Sequence, residues 1–345
     1  MNYRQLGRTG AFVSEIALGA GTFGGDPAQG GMLQSTADAL VACALEHGVN
    51  FFDTADAYLS GQSETLLGHA FRNLGLSRSD IFVSSKVQNP MGPGPNDRGA
   101  SRLHIMDGVK KSLKRLQLDH LDLYQIHSHD PVTPIEETMR ALDDLVSQGL
   151  VRYIGASNWR AYRIAKANGI ADHFGRARFV TTQGYYCLSA RDVERELIPC
   201  LEEEGVGLLA WSPLDGGFLT GKFPRDGTMA PGTRQARLQG YPPVNRERAW
   251  DCVDVMREIA AEIGATIPRV AIAWVLHRPA VSSVLVGANR VEQLADTLAA
   301  AEISLSQDHL DRLDAVSRLP SEYPEWMLTR QAPSRFPAEF KRKPD

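Results

Sequence analysis

Four side chains capable of proton transfer stand at or just after the ends of apolar, strand-like runs. Asp53, Tyr58, Lys86 and His127 supply an acid, a phenol, an ammonium and an imidazole. A barrel of parallel strands brings all its carboxyl ends to one face, where residues from different strands meet. The placement of these four residues therefore predicts a proton-donating cluster at such a face.

The runs that would position this cluster belong to a repeated pattern of strand and helix. Predicted strands centre on Glu15–Gly19, Val49–Asp53, Ile81–Val87, Leu121–His127, Val151–Ser157, Phe179–Tyr185, Gly207–Trp211 and Ser282–Gly287. Amphipathic helical segments lie between them near Ser35–His47, Ser63–Leu74, Ser101–Leu116, Pro134–Gln148, Arg160–Ile170, Asp192–Glu204, Asn245–His277 and Val291–Ala301. About eight such units in a row predict an α/β fold of the (β/α)8 TIM barrel type.

Single residues predict where some of the helices begin and end. Ser63 and Thr133 precede helical segments and are of the type that caps a helix N-terminus. Gly48, Gly149 and Gly205 follow helical segments, where a left-handed residue commonly ends a helix.

Three stretches fall outside the repeat. Residues Tyr3–Val13 predict a short hairpin that turns at 7–10 and plugs the barrel bottom. Residues Leu214–Pro243 form a long Gly-, Pro- and Arg-rich connection after the seventh strand, and loops of this length are often functional. The tail Leu319–Asp345 either folds over the active face or is disordered. All 345 residues are predicted to form one domain.

The composition narrows the class of protein. A hydrophobic fraction of 43%, a charged fraction of 23% and a net charge of −4 are typical of a globular protein. No basic run predicts nucleic-acid binding, and no stretch approaches the roughly 20 apolar residues of a membrane span. The four cysteines show no metal-binding spacing, which favours reduced thiols in a cytoplasmic protein. The oligomeric state stays open.

Three local motifs suggest other chemistries but lack the context that each requires. The glycines of 19–24 match G-x-G-x-x-G, yet more glycine and proline follow where a dinucleotide fold needs a helix. Tyr162 and Lys166 match a Y-x-x-x-K pair, but no serine stands at the matching upstream distance. His127 and His129 form an HxH motif without further histidines at later strand ends, so we expect no metal site.

Four matches in the correct order resemble the aldo-keto reductase superfamily. Residues 53–58, Asp-Thr-Ala-Asp-Ala-Tyr, resemble its D-T-A-x-x-Y signature, and Lys86 follows its strand as the family lysine does. Residues 121–130 resemble L-x-x-x-H-x-x-D, and residues 155–159 resemble G-x-S-N-[FW]. The resemblance implies hydride transfer between a nicotinamide cofactor and a carbonyl or alcohol. The form of residues 183–186 and the long seventh loop resemble the bacterial-type and channel-β-like branches.

The resemblance assigns a role to each of the four catalytic candidates. Tyr58 is the general acid in reduction and the base in oxidation, a role for which a free phenol with a pKa near 10 is poorly suited. The Lys86 ammonium favours the phenolate and so lowers that pKa. Asp53 keeps Lys86 charged and directed, and His127 hydrogen-bonds the substrate oxygen.

The cofactor implied is NADP(H), with NAD(H) as the alternative. Ser157, Asn158 and Gln183 correspond to binders of the nicotinamide carboxamide, and Trp211 to the aromatic residue that stacks on the nicotinamide. The resemblance also implies that the backbone of Ser212, Leu214 and Gly216 approaches the pyrophosphate, with charge supplied by Lys222. The remaining positions implied in cofactor binding are Thr22, Gly287, Asn289, Arg290 and Gln293. Many relatives carry a basic residue where Asn289 stands and Glu-Asn where 296–297 stand, so Arg290 is the candidate for the 2′-phosphate.

Two other functions remain open from the sequence. One is a slow-turnover, redox-sensing accessory subunit of the channel-β type, and the other is a metal-dependent barrel hydrolase. The sequence does not name the carbonyl or alcohol substrate. We expect its pocket to be shaped by residues 22–23, Met91–Arg98, Trp159, the Leu214–Pro243 loop and the tail.

Overall fold

The apolar runs form the eight parallel strands of a closed barrel, which confirms the predicted TIM barrel. The computed structural model describes residues 1–26, 31–226 and 241–335. The barrel strands are β3 (Ile16–Gly19), β4 (Phe51–Asp53), β5 (Phe82–Val87), β6 (Leu121–Ile126), β7 (Val151–Ser157), β8 (Phe179–Tyr185), β9 (Gly207–Trp211) and β10 (Val281–Val286). They follow one another around the barrel in chain order, and β10 closes it by pairing with β3.

Helices surround the barrel and cover its outer face. They are α1 (Gln34–Glu46), α2 (Gln62–Asn73), α3 (Arg102–Leu116), α4 (Ile135–Ser147), α5 (Ala161–His173), α6 (Leu197–Glu204), α7 (Arg246–Ile263), α8 (Ile267–Leu276), α9 (Val291–Leu298), α10 (Gln307–Ser317) and α11 (Glu325–Arg335). Short 3-10 helices span Tyr58–Gly61, Arg78–Asp80, Asp192–Glu194, Asp215–Thr220 and Ala299–Glu302. Because helices cover the strands from outside, most strand residues are buried on both faces.

The hairpin prediction for the barrel bottom is confirmed. Strands β1 (Tyr3–Gln5) and β2 (Phe12–Ser14) pair in antiparallel fashion. Leu6 and Val13 are fully buried and pack on apolar barrel residues such as Phe51 and Leu123. The bottom of the barrel is thus filled by apolar side chains, and its polar residues lie toward the carboxyl ends of the strands.

The single helix predicted over Asn245–His277 is wrong, because two helices occupy this segment. Gly264 adopts a left-handed conformation with φ of 67° and ends α7. Thr266 then begins α8, whose first turn contains Pro268. The apolar periodicity runs through both helices, which hides the break from a reading based on periodicity alone.

The predicted C-terminal glycines are found where expected, whereas the two predicted N-caps are wrong. Gly48, Gly149 and Gly205 have φ between 67° and 80°. Ser63 lies inside α2, and its hydroxyl donates to the carbonyl oxygen of Ala20 at 2.6 Å. The N-cap of α4 is Pro134, while Thr133 binds Asp130. The Ser63 hydroxyl therefore serves a tertiary contact, and the Thr133 hydroxyl a contact within its own loop.

The tail begins beside the barrel face that carries the strand ends. The guanidinium of Arg195, which follows β8 in the chain, donates to the Pro320 carbonyl at 3.1 Å and pairs with Glu322 at 3.1 Å. Residues 336–345, on which part of the tail prediction depends, lie outside the described residues.

No single helix in the described part of the chain combines the length and apolar character of a membrane span. Helices α7 and α8 satisfy that criterion only when taken together, and they are bent by 97° at their junction.

Candidate active site

Strand alternation points one row of polar side chains into the upper barrel. Along β5, Phe82, Ser84 and Lys86 are spaced by two and share a face, with Phe82 in the apolar bottom layer. Gln125 and His127 follow in the same way from β6, and Asp53 ends β4. The residues that looked separate in the sequence are therefore brought together at the carboxyl ends of adjacent strands.

The centre of the site is the fully buried ammonium of Lys86. Its Nζ donates to Asp53 Oδ2 at 2.6 Å, to the Thr54 carbonyl at 2.8 Å and to the Tyr58 hydroxyl oxygen at 3.2 Å. Three acceptors match the three N–H groups of an ammonium, so the buried charge is fully hydrogen-bonded. Lys86 is directed at Tyr58 by this arrangement, as the sequence analysis expected.

The charge of Lys86 is maintained by its partners. Complete burial opposes the charged form, but the Asp53 carboxylate and then the Tyr58 oxygen outweigh it and raise the pKa of Lys86 above its usual value. Asp53 is held in turn by Gln183, whose Nε2 donates to Oδ1 at 3.0 Å, and by Gln125 at 3.5 Å. A buried charge pair depends on such additional hydrogen bonds.

His127 is a neutral imidazole in this site. Burial and the nearby Lys86 charge lower the pKa of His127 to about 3. The amide nitrogen of Asn89 lies 3.2 Å from Nδ1, and an amide N–H can only donate, so the ring proton is placed on Nε2. The imidazole ring lies edge-on to Tyr58, with 5.5 Å between the ring centroids. His127 can therefore donate a hydrogen bond beside Tyr58 without carrying charge.

A cleft opens over these residues at the strand ends. It is lined by Gly19, Gly21, Thr22, Asp53, Tyr58, His127, Ser157, Asn158, Gln183, Trp211, Ser212, Tyr241, Leu285, Val286 and Gly287. A Cβ added to Gly21 would lie 3.5 Å from the Tyr58 ring, so glycine there keeps space beside the phenol. The Thr22 hydroxyl is buried and has no hydrogen-bond partner among the described residues.

The predicted carboxamide and stacking residues form one hydrogen-bonded group along the cleft. Asn158 donates to the His127 carbonyl at 3.0 Å and accepts from the Trp211 indole N–H at 3.3 Å. The Ser157 hydroxyl donates to the Gln183 carbonyl at 3.1 Å. The side-chain amide nitrogen of Gln183 donates to Asp53, so the second N–H and the amide oxygen of Gln183 are the groups left for a ligand.

The loop after β9 has a backbone of repeated left-handed turns. Positive φ occurs at Ser212, Asp215, Gly216, Gly217 and Gly221. Consecutive turns of this kind form concavities lined by N–H groups that suit anions. The Gly216 amide already donates to Ser212 Oγ at 2.9 Å, so its predicted pyrophosphate contact requires that bond to open.

Two cations near the predicted phosphate positions have no acidic partner among the described residues. Lys222 is exposed next to Gly217, and burial of part of the side chain lowers the pKa of Lys222. Arg290 is exposed at the N-cap of α9. Asn289 and Gln293 are exposed in the same region, whereas Leu214 is half-buried against the core. The roles of these residues stay predictions.

Several residues of the site were missed by the sequence analysis. Thr54 contributes only a backbone oxygen, which no side-chain motif reveals. Asn89 and Tyr241 lie on loops whose direction the sequence does not specify. Gln125 could have been found, because it stands two residues before His127 on the same strand face.

The three local motifs occupy different places in the structure. Gly19 ends β3 and residues 20–24 form the loop after it, where Gly21 and Thr22 line the cleft. Tyr162 is 60% exposed on α5, away from the cleft lining. No group of three or more His, Cys, Asp or Glu side chains suited to a metal ion occurs within the described ranges. Trp159 is 6% exposed, packs against Phe179 with 5.4 Å between the ring centroids, and is not among the residues that line the cleft. Residues 227–240 of the long loop lie outside the described residues.

One buried carboxyl beneath the site offers a test of local electrostatics. Asp56 is 1% exposed, and the backbone N–H of Ala57 stabilises its charged form only in part. Burial, and then the charge of Glu64, raise the pKa of Asp56 to about 7. The folded protein therefore retains a proton that the unfolded chain loses near pH 4. The stability linked to this proton is fully present below about pH 4 and is lost as pH rises to about 7.

We expect Asp56→Asn to stabilise the fold more at pH 8 than at pH 5, because the amide cannot ionise. The expected gain at pH 8 is about 1–3 kcal/mol in the free energy of unfolding, measured by urea denaturation. The exposed Asp107→Asn is the matched control and should change little at either pH. An equal effect of Asp56→Asn at both pH values would contradict the assignment.

The barrel fold and the sequence of this chain match a family of oxidoreductases. A model of the aldo/keto reductase family matches residues 15–318, which is nearly the whole chain. The protein therefore belongs to the aldo/keto reductase family, whose members are oxidoreductases that generally use nicotinamide cofactors.

Individual relatives resemble the chain over most of its length. It is 39% identical over 333 residues to a probable voltage-gated potassium channel subunit beta of Arabidopsis thaliana, covering 94% of this chain and 99% of that protein. A protein of the same description from Oryza sativa subsp. japonica is 38% identical, covering 92% and 96% of the two chains. The uncharacterized oxidoreductase YrpG of Bacillus subtilis (strain 168) is 37% identical, covering 94% and 99%.

Proposed function

We propose that the protein interconverts an aldehyde or ketone and the corresponding alcohol with NADP(H), and that Tyr58 transfers the proton. The observation that carries this proposal is the 3.2 Å contact between the Tyr58 hydroxyl and the buried Lys86 ammonium at the base of an open cleft. A phenol beside a fixed positive charge is suited both to donate and to recover a proton.

Each residue of the site has a defined task in reduction. Tyr58 donates its proton to the carbonyl oxygen as negative charge develops there. The Nε2–H of His127 donates a hydrogen bond to the same oxygen and stabilises that charge, because the neutral ring is already directed to the cleft. The Lys86 ammonium stabilises the phenolate that remains, and Asp53 keeps Lys86 charged and directed at it. In the oxidation direction, Tyr58 accepts the proton of the alcohol.

The residues along the cleft fit a nicotinamide dinucleotide. An indole platform at Trp211, the glycines of the lining and the unpartnered Thr22 hydroxyl suit a flat, polar ring. Lys222 and Arg290 would hold the phosphates, since neither pairs with an acid within the described residues. When bound, this cofactor supplies or accepts the hydride.

The test is direct measurement of cofactor binding followed by turnover. We expect the purified protein to bind NADPH, detected by quenching of tryptophan fluorescence. With NADPH bound, a panel of aromatic, aliphatic and sugar aldehydes and ketones should reveal at least one substrate that is reduced. Absence of NADPH binding would contradict the proposal.

A second candidate function is favoured by the plant relatives described as probable potassium channel β subunits. In that case the protein binds NADP(H) and acts as a slow-turnover accessory subunit. Tight NADPH binding together with negligible reduction of every carbonyl tested would favour this function over the metabolic one.

Arg290 provides a prediction about cofactor choice. We expect Arg290→Ala to weaken NADPH by about tenfold and NADH by much less, because only NADPH carries the 2′-phosphate that an arginine binds strongly. Dissociation constants for both cofactors check this difference. The half-buried, similarly charged Arg163 on α5 lies outside the cleft lining, and Arg163→Ala is the control. Equal weakening of both cofactors would remove Arg290 from 2′-phosphate recognition.

A further inference from the structure

The loop after β9 contains a buried carboxyl group that the proposed chemistry does not use. Asp215 is 1% exposed and lies three residues after the predicted pyrophosphate contact Ser212. Its carboxyl oxygens accept hydrogen bonds from the Tyr185 hydroxyl and, at 2.6 Å, from the Ser189 hydroxyl. Asp215 also adopts φ of 51°, which is unfavourable for a residue other than glycine. A buried acid on a strained backbone indicates a specific task.

Tyr185 connects this carboxyl to the edge of the cleft. Its ring is stacked on Trp211, with 4.9 Å between the centroids and 26° between the planes. The two residues are direct partners in the ladder between β8 and β9. Trp211 is joined through its indole N–H to Asn158, and Asn158 to the His127 backbone. A continuous set of contacts thus runs from the loop to the catalytic face.

The two sides of the Trp211 indole have different surroundings. Tyr185 lines a separate cavity of about 470 Å³ together with Asp215, whereas Tyr241 lines the cleft. Tyr241 is stacked on Trp211 at 6.1 Å and 16° and lines the cleft. A nicotinamide ring that packs on Trp211 from the cleft therefore takes the place of Tyr241, whereas Tyr185 stays in contact with the indole through the ladder between β8 and β9.

We propose that Asp215 is a positioning residue that fixes the Trp211 platform for the nicotinamide by holding the hydroxyl of Tyr185. The inference rests on the proposed function, because it assumes that the cofactor's ring lies against Trp211. It also links the two ends of the cofactor site, since the loop that carries Asp215 is the one predicted to contact the pyrophosphate. A movement of this loop would therefore also change the contact between Tyr185 and the Trp211 indole.

Four variants separate this role from a purely structural one. Asp215→Ala removes both acceptors, and Asp215→Asn keeps an oxygen that can accept from Tyr185. Tyr185→Phe keeps the stacked ring and removes only the hydroxyl, and the fourth variant combines Asp215→Ala with Tyr185→Phe. Ser189→Ala is the matched control, because it removes the other hydrogen bond to Asp215 without touching the platform.

We expect Asp215→Ala to weaken NADPH binding and slow single-turnover hydride transfer by about tenfold each, the scale of a lost hydrogen bond to a charged group. Asp215→Asn should stay within about threefold of the unmodified protein, and Ser189→Ala should do so as well. In the Tyr185→Phe background, adding Asp215→Ala should change NADPH binding and hydride transfer by no more than about twofold, because the hydrogen bond between Tyr185 and Asp215 is already absent. Quenching of Trp211 fluorescence by NADPH, taken as the difference from Trp211→Phe, should fall in parallel.

A full additional loss from Asp215→Ala in the Tyr185→Phe background would overturn the inference, as would unchanged kinetics in Asp215→Ala. If Asp215→Ala does not fold, Tyr185→Phe carries the test alone, and unchanged NADPH binding and turnover in that variant would overturn the inference. Measurements on the unmodified protein distinguish failure of the proposed function from failure of the role assigned to Asp215. If it binds no NADPH, the proposed function itself fails; if it binds and reacts, additive variants remove only the role of Asp215.

Discussion

Replacing Tyr58 by phenylalanine should lower the rate of carbonyl reduction by about a thousandfold, within the range of a lost general acid. The ring remains, so its packing edge-on to His127 is kept and only the hydroxyl next to Lys86 is removed. NADPH affinity should stay nearly unchanged, because the hydroxyl contributes to chemistry and not to cofactor binding. Single-turnover rates and NADPH dissociation constants measure the two effects separately.

The matched control for this prediction is Tyr162, which forms the Y-x-x-x-K pair with Lys166 in the sequence. Tyr162 is 60% exposed on α5 and contacts Arg163, not the cleft. We expect Tyr162→Phe to leave the reduction rate unchanged. Full activity of Tyr58→Phe combined with loss in Tyr162→Phe would contradict the proposed site and support a Y-x-x-x-K mechanism.

Replacing Lys86 by methionine should abolish activity and also destabilise the protein by about 3–5 kcal/mol at neutral pH. The reason is that Asp53, only 2% exposed, would lose the ammonium 2.6 Å away. The Gln183 and Gln125 amides would remain as its partners, and they offset only part of the loss. Urea denaturation gives the stability change, and NADPH-dependent reduction gives the activity change.

Two further variants test whether the unpaired charge is the cause of the instability. Adding Asp53→Asn to Lys86→Met should recover most of the lost stability without recovering activity, since the buried charge is gone but the proton site is still broken. The exposed pair Arg102–Asp144 serves as the comparison, and Arg102→Met should cost less than about 1 kcal/mol. If the double variant is as unstable as Lys86→Met, lost packing of the lysine stem is the cause.

The stability and the reactivity of this site depend on the same buried pair. Lys86 is charged because Asp53 faces it, and its third N–H group is thereby directed to Tyr58. The lower barrel is closed by apolar residues of the hairpin, which keeps water away from the pair on that side. The cleft above stays open, so the reacting groups are exposed only on the side from which a ligand enters.

The descriptions of the relatives differ, because some are given as channel subunits and one as an oxidoreductase. The chain covers nearly the full length of both the plant channel-subunit relatives and the bacterial oxidoreductase. The residues of the site fit proton transfer in either setting. The turnover number with NADPH therefore decides between a metabolic reductase and a slow accessory subunit.

The sequence by itself determined the barrel and the order of the residues at its face. Continuous apolar runs separated by amphipathic segments allow few alternatives, and parallel strands necessarily place Asp53, Lys86 and His127 at one end. The apolar periodicity did not show the break between α7 and α8, because that break depends on the left-handed conformation of Gly264. The residue type also assigned Ser63 to a helix cap, because a serine hydroxyl can accept from a helix N–H as well as donate to a distant carbonyl, as it does to Ala20.

Only the tertiary structure decided which partners these residues have. Distances within hydrogen-bonding range depend on strand register and barrel closure, which set Gln183 on Asp53 across 130 positions of sequence. The neutral state of His127 likewise depends on burial and on the Lys86 charge, neither of which a motif contains. The contact of Asp215 with Tyr185, and through it with Trp211, arises because β8 and β9 are neighbours and the following loop folds back on them. Local patterns specify residue types and elements, whereas long-range packing specifies the electrostatics on which the chemistry depends.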